Sequence, residues 1–430
     1  MAAAWITSRT RRKIRIVFIP VRQKFPDRAL PEIPAAVRAE LAASCLATRL
    51  QPGARVAIGV GSRGIANLAA IVRATVQHFQ SAGLRPFIFP AMGSHGAASA
   101  AGQASVLERY GIDENAMGCP VESSFDVLSL GRTERNVEVF AGRDAWESDG
   151  IFLINRVKWH TSFDGTLESG VAKMLAIGLG KIEGARSAHG HARNIGMDTV
   201  IHSVAAHLIT TGKILGGLAI LEDAYHSTAK VTALPSETLI EREEELLRLV
   251  KSWMGRIPVP ALDVLIIDEI GKNISGTGMD MKVVNRGVNG QVNPWPNAPR
   301  VERIFLRDLS DFSYGNAIGV GLGDVIHDRL FAKIDFNAGR INAMTSGSLA
   351  AVRTPLHFPT DRECLDLVMA TVSRFNPKDV TMGWIRNTLD LGEIALTENL
   401  LGEVTKNPDL EIAGPGFELE FDETGNLRAL

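Results

Sequence analysis

The sequence predicts an α/β protein with two domains, each built on a mainly parallel sheet, and an active-site cleft between them. Strand-like and helix-like runs alternate along the whole chain, and this alternation is the signature of the fold class. A length of 430 residues suits two domains of ordinary size. A stretch containing glycine and prolines, 255–260, separates two such alternating series.

The first series forms the predicted N-terminal domain, residues 1–255. Its strands are short apolar runs rich in β-branched residues, and its helices are longer runs with apolar residues at helical spacing. The predicted strands are 14–21, 55–60, 86–90, 137–141, 150–155 and 216–222. The predicted helices are 33–48, 66–82, 168–179 and 239–254. Thr238 and Glu241 predict a capping box at the start of the last helix.

The second series forms the predicted C-terminal domain, residues 262–410, after a linker at 256–261. Its predicted strands are 264–267, 301–306, 317–321, 341–345 and 380–384. The tail, 411–430, is rich in turn residues and then alternates polar and apolar side chains, which predicts a terminal edge strand.

Composition excludes several classes of partner. A net charge of −2 indicates neither nucleic acid nor an anionic membrane. The three cysteines are far apart and form no CxxC pair, so no disulfide framework or cysteine-based metal site is expected. No window approaches the roughly 20 apolar residues of a membrane span, and the basic start lacks the apolar region of a signal peptide. The sequence therefore predicts a cytoplasmic protein.

Candidate chemistry is concentrated in the stretch 155–191, which begins where a predicted strand ends. Open α/β sheets place their ligands at such strand ends. His160, His189 and His191 lie in this stretch, and Lys173 lies among apolar residues of the predicted helix. A lysine in such a setting is a buried structural cation, a nucleophile of lowered pKa or a covalent attachment point.

Three other predicted strand ends carry polar, glycine-rich loops. Gly59 to Gly64 fits the G-x-G-x-x-G pattern of dinucleotide-binding proteins, but no acidic residue follows at the distance that would hold a ribose. A phosphate or carboxylate site that uses Arg63 is the more economical interpretation. His95 lies in the loop after the next strand, and a long polar loop, 268–282, follows the first strand of the second domain.

The order of these residues resembles the nickel-pincer-nucleotide lactate racemase superfamily over most of the chain. An arginine follows the second strand (Arg63), and a Gly-x-His loop follows the third (His95). Asn-Arg-Val-x-x-His then ends at His160, a glycine-containing segment ends at Lys173, and His189 follows. The second domain supplies Gly-Lys-Asn-Ile and a later lysine in the same order.

The resemblance implies a cofactor, a pyridinium-derived nucleotide that holds nickel in a sulfur–carbon–sulfur pincer. Lys173 would carry this cofactor covalently, and Gly170 would contact it. His189 would be the nickel ligand, with His191 as the alternative. The cofactor-maturation enzymes would then be partners of this protein.

The resemblance also implies the reaction, in which a 2-hydroxy acid is racemised or epimerised by hydride transfer. His95 and His160 would be paired acid/base residues, since an imidazole pKa of about 6.5 suits both roles. The residues implied in substrate binding are Arg63, Ser62, Lys282 and Asp280.

The family's residues around the substrate are not all kept. The segment between His160 and Lys173 is more polar, and Ser62 and Asp280 replace other residue types. A larger or sugar-derived acid is therefore expected instead of lactate, with Asp164, Glu168 and Asp280 in contact with its additional hydroxyls. Two alternatives remain open: an NADP-dependent oxidoreductase, in which Arg85 would meet the ribose phosphate, and a non-catalytic protein that binds a carboxylate or sugar acid.

Overall fold

The computed structural model describes residues 15–61, 64–93 and 99–430. The chain forms two compact units. One is Pro26–Met254, and the other is Gly255–Leu430 together with the described part of Met1–Phe25. Both contain a sheet with helices, and in both sheets several strand pairs are parallel, so the predicted α/β class is confirmed.

The N-terminal unit contains a five-stranded sheet of order β3-β2-β6-β7-β8, parallel except for β8, and a small β4-β5 hairpin. Its strands are β2 (Arg55–Val60), β3 (Arg85–Pro90), β4 (Val127–Arg132), β5 (Glu138–Gly142), β6 (Gly150–Arg156), β7 (Ile214–Glu222) and β8 (Thr228–Pro235). Its helices are α1 (Ile33–Ser44), α2 (Leu68–Ser81), α3 (Ala100–Arg109), α4 (Glu114–Met117), α5 (Arg143–Trp146), α6 (Val171–Lys173), α7 (Lys181–Ile195), α8 (Met197–Thr210) and α9 (Leu239–Lys251).

Alternation along the strands explains why this sheet is covered on both faces. In β6, Ile151 and Leu153 belong to one apolar core, and Phe152 and Ile154 belong to the other. Successive side chains of a strand point to opposite faces, so an uninterrupted apolar run has to be buried on both. Helices α1 and α2 cover one face, and α8, α9 and the segment that carries Lys173 cover the other.

The C-terminal unit contains a nine-stranded sheet of order β12-β11-β10-β9-β13-β14-β1-β15, in which β16 also pairs with β1. Its strands are β1 (Val17–Gln23), β9 (Ala261–Ile270), β10 (Arg300–Leu309), β11 (Val325–His327), β12 (Leu356–Phe358), β13 (Met382–Ile385), β14 (Glu393–Thr397), β15 (Leu410–Ile412) and β16 (Phe417–Glu418). Its helices are α10 (Met281–Val284), α11 (Asp328–Ala332), α12 (Phe336–Ser346), α13 (Asp361–Thr371) and α14 (Leu401–Lys406).

The first strand lies in the C-terminal unit, whereas the predicted N-terminal domain began at residue 1. β1 runs antiparallel to β14, with Phe18 opposite Thr397 and Val21 opposite Ile394. The predicted tail also belongs to this sheet, because β15 and β16 both pair with β1. Pairing between strands so distant in sequence leaves no local signal in either strand.

Several predicted elements differ from the structure. Residues 341–345 lie in α12, where Asp335 caps the helix by accepting bonds from Asn337 and Ala338 backbone amides, and the apolar Ile341 and Met344 are exposed. No strand forms at 317–321, where the chain makes a 3₁₀ turn. Helix α9 ends at Lys251, and Thr238 makes no side-chain cap.

The predicted helix 168–179 is shorter and irregular. It begins at Val171, and after α6 the chain continues as a π-helix over Met174–Gly178. Single π turns inside helices occur frequently at functional sites. Val171–Gly178 is called the π segment below. Among the helices of the described residues, none combines the length and the apolar character that a membrane crossing requires.

Candidate functional site

The carboxyl ends of β2, β3 and β6 lie side by side at one edge of the N-terminal unit's sheet. β2 lies between the other two. The chain leaves β2 for β3 on one side and later returns to β6 on the other side. This reversal is a topological switch point, the place where open α/β sheets bind ligands. The predicted loops of the first domain all begin here.

Glycines reveal how closely these loops approach the π segment. A Cβ added to Gly61, after β2, would lie 2.9 Å from Asn155 Oδ1 and 3.1 Å from Met174 Cε. A Cβ added to Gly178 would lie 2.5 Å from the carbonyl oxygen of Ala91, after β3. Both spaces are already filled, so the starts of the β2 and β3 loops are packed directly on the π segment.

The amino end of the π segment is capped by Glu243 from α9. Its carboxylate accepts hydrogen bonds from the backbone amides of Val171 (2.6 Å) and Ala172 (3.2 Å), which the first turn would otherwise leave unpaired. Asn155 donates to the Gly170 carbonyl oxygen at 2.7 Å. A Cβ at Gly170 would overlap the Glu243 carboxylate. Burial raises the pKa of Glu243 to about 7, and the two amide bonds oppose this shift.

Lys173 and His160 both contact Phe163. The Nζ atom of Lys173, which is half-buried at the end of α6, lies 5.6 Å from the centroid of the Phe163 ring. The His160 ring stacks on Phe163 with centroids 4.3 Å apart and an interplanar angle of 28°. A cation at this distance from an aromatic ring is attracted by the ring's negative face. Two of the three residues predicted to be catalytic thus contact one side chain that was not predicted.

The loop after β6 contains His160. It is closed at its base by backbone hydrogen bonds and is held by a buried carboxylate. Lys158 and Ser169 exchange backbone hydrogen bonds of 3.0 and 3.2 Å. The buried carboxylate of Glu168 accepts a hydrogen bond from the His160 backbone amide and pairs with Lys251 of α9. Because the Glu168 side chain has no exposed surface, it is not available to a substrate hydroxyl, contrary to the expectation from sequence.

A buried ion pair holds the loop after β2. Arg156 and Glu222, at the ends of β6 and β7, form an ion pair with each other. Their side chains are 16% and 5% exposed, respectively. Arg156 donates to the Gly64 carbonyl oxygen (3.0 Å), and Glu222 accepts from the Ala66 amide (2.8 Å). The Tyr110 hydroxyl accepts from the Gly64 amide at 3.0 Å. Gly64, the last residue of the predicted anion-binding loop, and Ala66 after it are therefore held at the ends of β6 and β7.

Three predicted site residues, Ser62, Arg63 and His95, lie outside the described residues, and their roles stay predictions. The chain is described up to Gly61 on one side and up to Gly93 on the other. Both of these glycines border the site.

The geometry of α7 distinguishes His189 from His191, because helix residues two apart do not share a face. A Cβ on Gly93, at the start of the β3 loop, would lie 3.6 Å from Ala185 Cβ. His189 lies one turn beyond Ala185 and so shares that face. His191 donates from Nδ1 to the Ser187 carbonyl oxygen at 3.0 Å, and the Ser187 hydroxyl bonds to β5. His191 is therefore on the β5 side of the helix.

A buried lysine, Lys181, lies at the start of α7. Lys181 Nζ donates to the carbonyl oxygen of Pro90 at the end of β3 (2.6 Å), and it lies 5.4 and 6.0 Å from the rings of Phe89 and Phe125. Burial lowers the pKa of Lys181 to about 8, and the negative charge of Asp144 opposes this shift. Lys181 joins the β3 end to α7, a link that the sequence pattern did not indicate.

Dinucleotide binding at the G-x-G-x-x-G motif is not favoured by the position of its first glycine. Gly59 lies inside β2, where it packs against Phe89 and Leu153, instead of in the turn that would approach a pyrophosphate. The next helix begins only at Leu68.

The C-terminal unit has its own switch point, between β9 and β13. The predicted substrate loop follows β9. Asp280 caps α10 by accepting a hydrogen bond from the Lys282 amide (3.0 Å), and its own amide donates to the Thr388 hydroxyl (2.8 Å) after β13. The side chain of Lys282 is largely buried. The substrate-binding roles of both residues stay predictions.

Within the described ranges, no group of three or more His, Cys, Asp or Glu side chains is arranged to hold a metal ion. The pincer cofactor that the resemblance implies would bring sulfur and carbon donors of its own and would need one protein histidine and one lysine. A half-buried Lys173 beside an aromatic ring, and His189 on the helix face next to the β3 loop, fit that requirement.

Two solved structures align with most of this chain. A protein from Thermotoga maritima with a solved crystal structure matches with 13% identity and a TM-score of 0.51, covering 84% of this chain and 97% of that chain. The lactate racemase apoprotein from Thermoanaerobacterium thermosaccharolyticum aligns with 13% identity and a TM-score of 0.48, covering 93% and 97%. No protein-family model and no curated protein matches the sequence.

Proposed function

We propose that the protein is a racemase or epimerase of a 2-hydroxy acid that uses a nickel-pincer nucleotide attached to Lys173. The observation that carries this proposal is the contact of Lys173 and His160 with one ring, Phe163, at the switch point of the sheet. The β2 loop, which holds the predicted substrate-binding residues Ser62 and Arg63, and the β3 loop, which holds the predicted acid/base residue His95, begin on the same π segment.

In this proposal, Lys173 holds the cofactor and His189 completes the nickel coordination. When bound, the cofactor supplies a reversible hydride acceptor, which allows the hydroxy acid to pass through a planar keto acid. Gly170 contributes by admitting the carboxylate of Glu243, which fixes the helix that ends in Lys173. Preorganisation of this kind keeps a reacting group in place without cost at the moment of reaction.

The other predicted site residues would hold the hydroxyl proton and the carboxylate of the substrate. Loss of hydride from the α-carbon requires that a base remove the hydroxyl proton, and His95 and His160 are assigned to hold that proton. Arg63 would bind the substrate carboxylate in a bidentate manner. Lys282 and Asp280 are assigned to the substrate on the basis of the resemblance.

The test is the intact mass and nickel content of the protein made with and without the cofactor-synthesis enzymes. We expect a covalent adduct on Lys173 with near-stoichiometric nickel, and loss of both in Lys173→Ala. Lys213→Ala is the matched control, since Lys213 lies before β7 and bonds to the Ser148 carbonyl oxygen. His160→Ala is expected to keep the adduct and lose racemisation.

Other outcomes would separate the alternatives. Activity that survives in Lys173→Ala, together with NADP binding, would favour the oxidoreductase. Tight binding of a sugar acid without adduct, nickel or turnover would favour the binding protein.

A further inference from the structure

The ring of His160 is held by the residue two positions later. The backbone amide of Ser162 donates to His160 Nδ1 at 3.2 Å, and the Ser162 hydroxyl lies 3.0 Å from the same atom. A backbone amide can only donate a hydrogen bond. Nδ1 therefore carries a lone pair, and the neutral ring carries its proton on Nε2.

We propose that Ser162 is a positioning residue that keeps neutral His160 in the Nε2–H tautomer and so presents a hydrogen-bond donor to the substrate oxygen. This inference rests on the proposed function only for the identity of the substrate oxygen. The tautomer itself follows from the contact with Ser162. Which ring nitrogen is protonated is set by the hydrogen bond that the other nitrogen makes.

The surroundings keep the ring in this orientation. Stacking on Phe163 fixes the ring plane, and Glu168 holds the backbone amide of His160. Lys173 contacts the same Phe163 ring.

This tautomer decides which of the two predicted histidines can accept the substrate's hydroxyl proton. A neutral ring with a proton already on Nε2 cannot accept the substrate's hydroxyl proton there. Its conversion to the base requires a proton on Nδ1, which breaks the bond from the Ser162 amide. In the resting protein, His160 therefore donates a hydrogen bond from Nε2 to the substrate oxygen and keeps its proton, and another group, assigned as His95, takes the hydroxyl proton.

The test is nitrogen NMR of the protein labelled with ¹⁵N-histidine, with no cofactor or substrate, in which His160→Gln assigns the signals. We expect His160 to show an unprotonated Nδ1 and a protonated Nε2 in the neutral ring. Ser162→Ala keeps the backbone amide and should keep this pattern. Ser162→Asp places an acceptor beside Nδ1 and should move the proton to Nδ1.

A protonated Nδ1 in the neutral wild-type ring would overturn the inference, even in an active racemase. In enzyme that carries the adduct, Ser162→Asp is expected to lower kcat by about tenfold or more with a smaller change in KM, because the donor is lost. Unchanged kcat after a demonstrated tautomer switch would overturn the role of the donor. The expected tautomer in a protein that forms no adduct would overturn the proposed function and leave the tautomer assignment standing.

Discussion

The carboxylate of Glu243 occupies the space that a Cβ on Gly170 would fill, and from there it caps the helix that ends in Lys173. Two residues from distant parts of the sequence thus form one joint. The glycine is required by this close approach of a side chain, since its backbone is extended and would accept any residue. The position of Lys173 depends on this joint.

Gly170→Ala is expected to displace Glu243 and leave two buried amides without partners. Overpacking and unpaired donors together predict a loss of about 2–4 kcal/mol in the free energy of unfolding. Chemical denaturation measures this loss. Gly190→Ala in α7 is the control, because nothing lies within 4 Å of a Cβ there. If the two variants were equally stable, the joint would have no energetic importance.

Glu243→Gln should change how stability depends on pH. Burial raises the pKa of Glu243 from its ordinary 4.5 to about 7, so the folded protein binds this proton more tightly than the unfolded chain does. The contribution of Glu243 to the free energy of unfolding is therefore greatest below about pH 4.5 and is lost as the pH rises through about 7. Relative to Glu243→Gln, the wild type should lose about 3 kcal/mol in the free energy of unfolding as the pH rises across this range.

Urea denaturation at a series of pH values measures that difference. Glu245→Gln, on the exposed side of the same helix, controls for the loss of one negative charge. A difference between wild type and Glu243→Gln that stays constant from pH 4.5 to 7 would contradict the assignment.

Local patterns predicted the central strands of the N-terminal unit well. Apolar runs bounded by turn residues located β2 and β6 to within a residue, and the loop residues after them were found because both strands end at the same sheet edge. His160 and Lys173 belong to such a local segment. Phe163 lies in that segment too, but no sequence rule connects an aromatic ring to a histidine and a lysine across a loop.

Long-range contacts could not be predicted. The cap on the π segment comes from Glu243, whose position in an amphipathic helix gives no sign that it is buried. The antiparallel pairing of β1 with β14 likewise joins the two ends of the chain. In α12, Ile341 and Met344 resemble a strand core by composition, but both are exposed on a helix.

Lys181→Met should reveal the cost of burying a cation at the β3 end. Burial lowers the pKa of Lys181 to about 8, so the folded protein releases this proton at a lower pH than the unfolded chain, whose lysine pKa is about 10.5. The free energy of unfolding of the wild type should therefore rise by up to about 3 kcal/mol relative to that of Lys181→Met as the pH rises from about 8 to about 10.5.

Lys213→Met controls for the loss of a hydrogen bond from a lysine to a carbonyl oxygen, which both lysines make. Denaturation curves at several pH values provide the measurement. If the free energy of unfolding of the wild type, relative to that of Lys181→Met, fell with rising pH, the Lys181 amine would be charged in the folded state throughout.

His189→Ala and His191→Ala form a matched pair that tests which histidine holds nickel. His189 shares the helix face of Ala185, next to the β3 loop, whereas His191 bonds to Ser187 on the β5 side. In protein made with the cofactor-synthesis enzymes, we expect His189→Ala to lose most of its nickel and keep the mass adduct on Lys173. His191→Ala should keep both, because its ring makes only a hydrogen bond within its own helix among the described contacts. Metal analysis and intact mass are read together, and nickel lost only from His191→Ala would reverse the assignment.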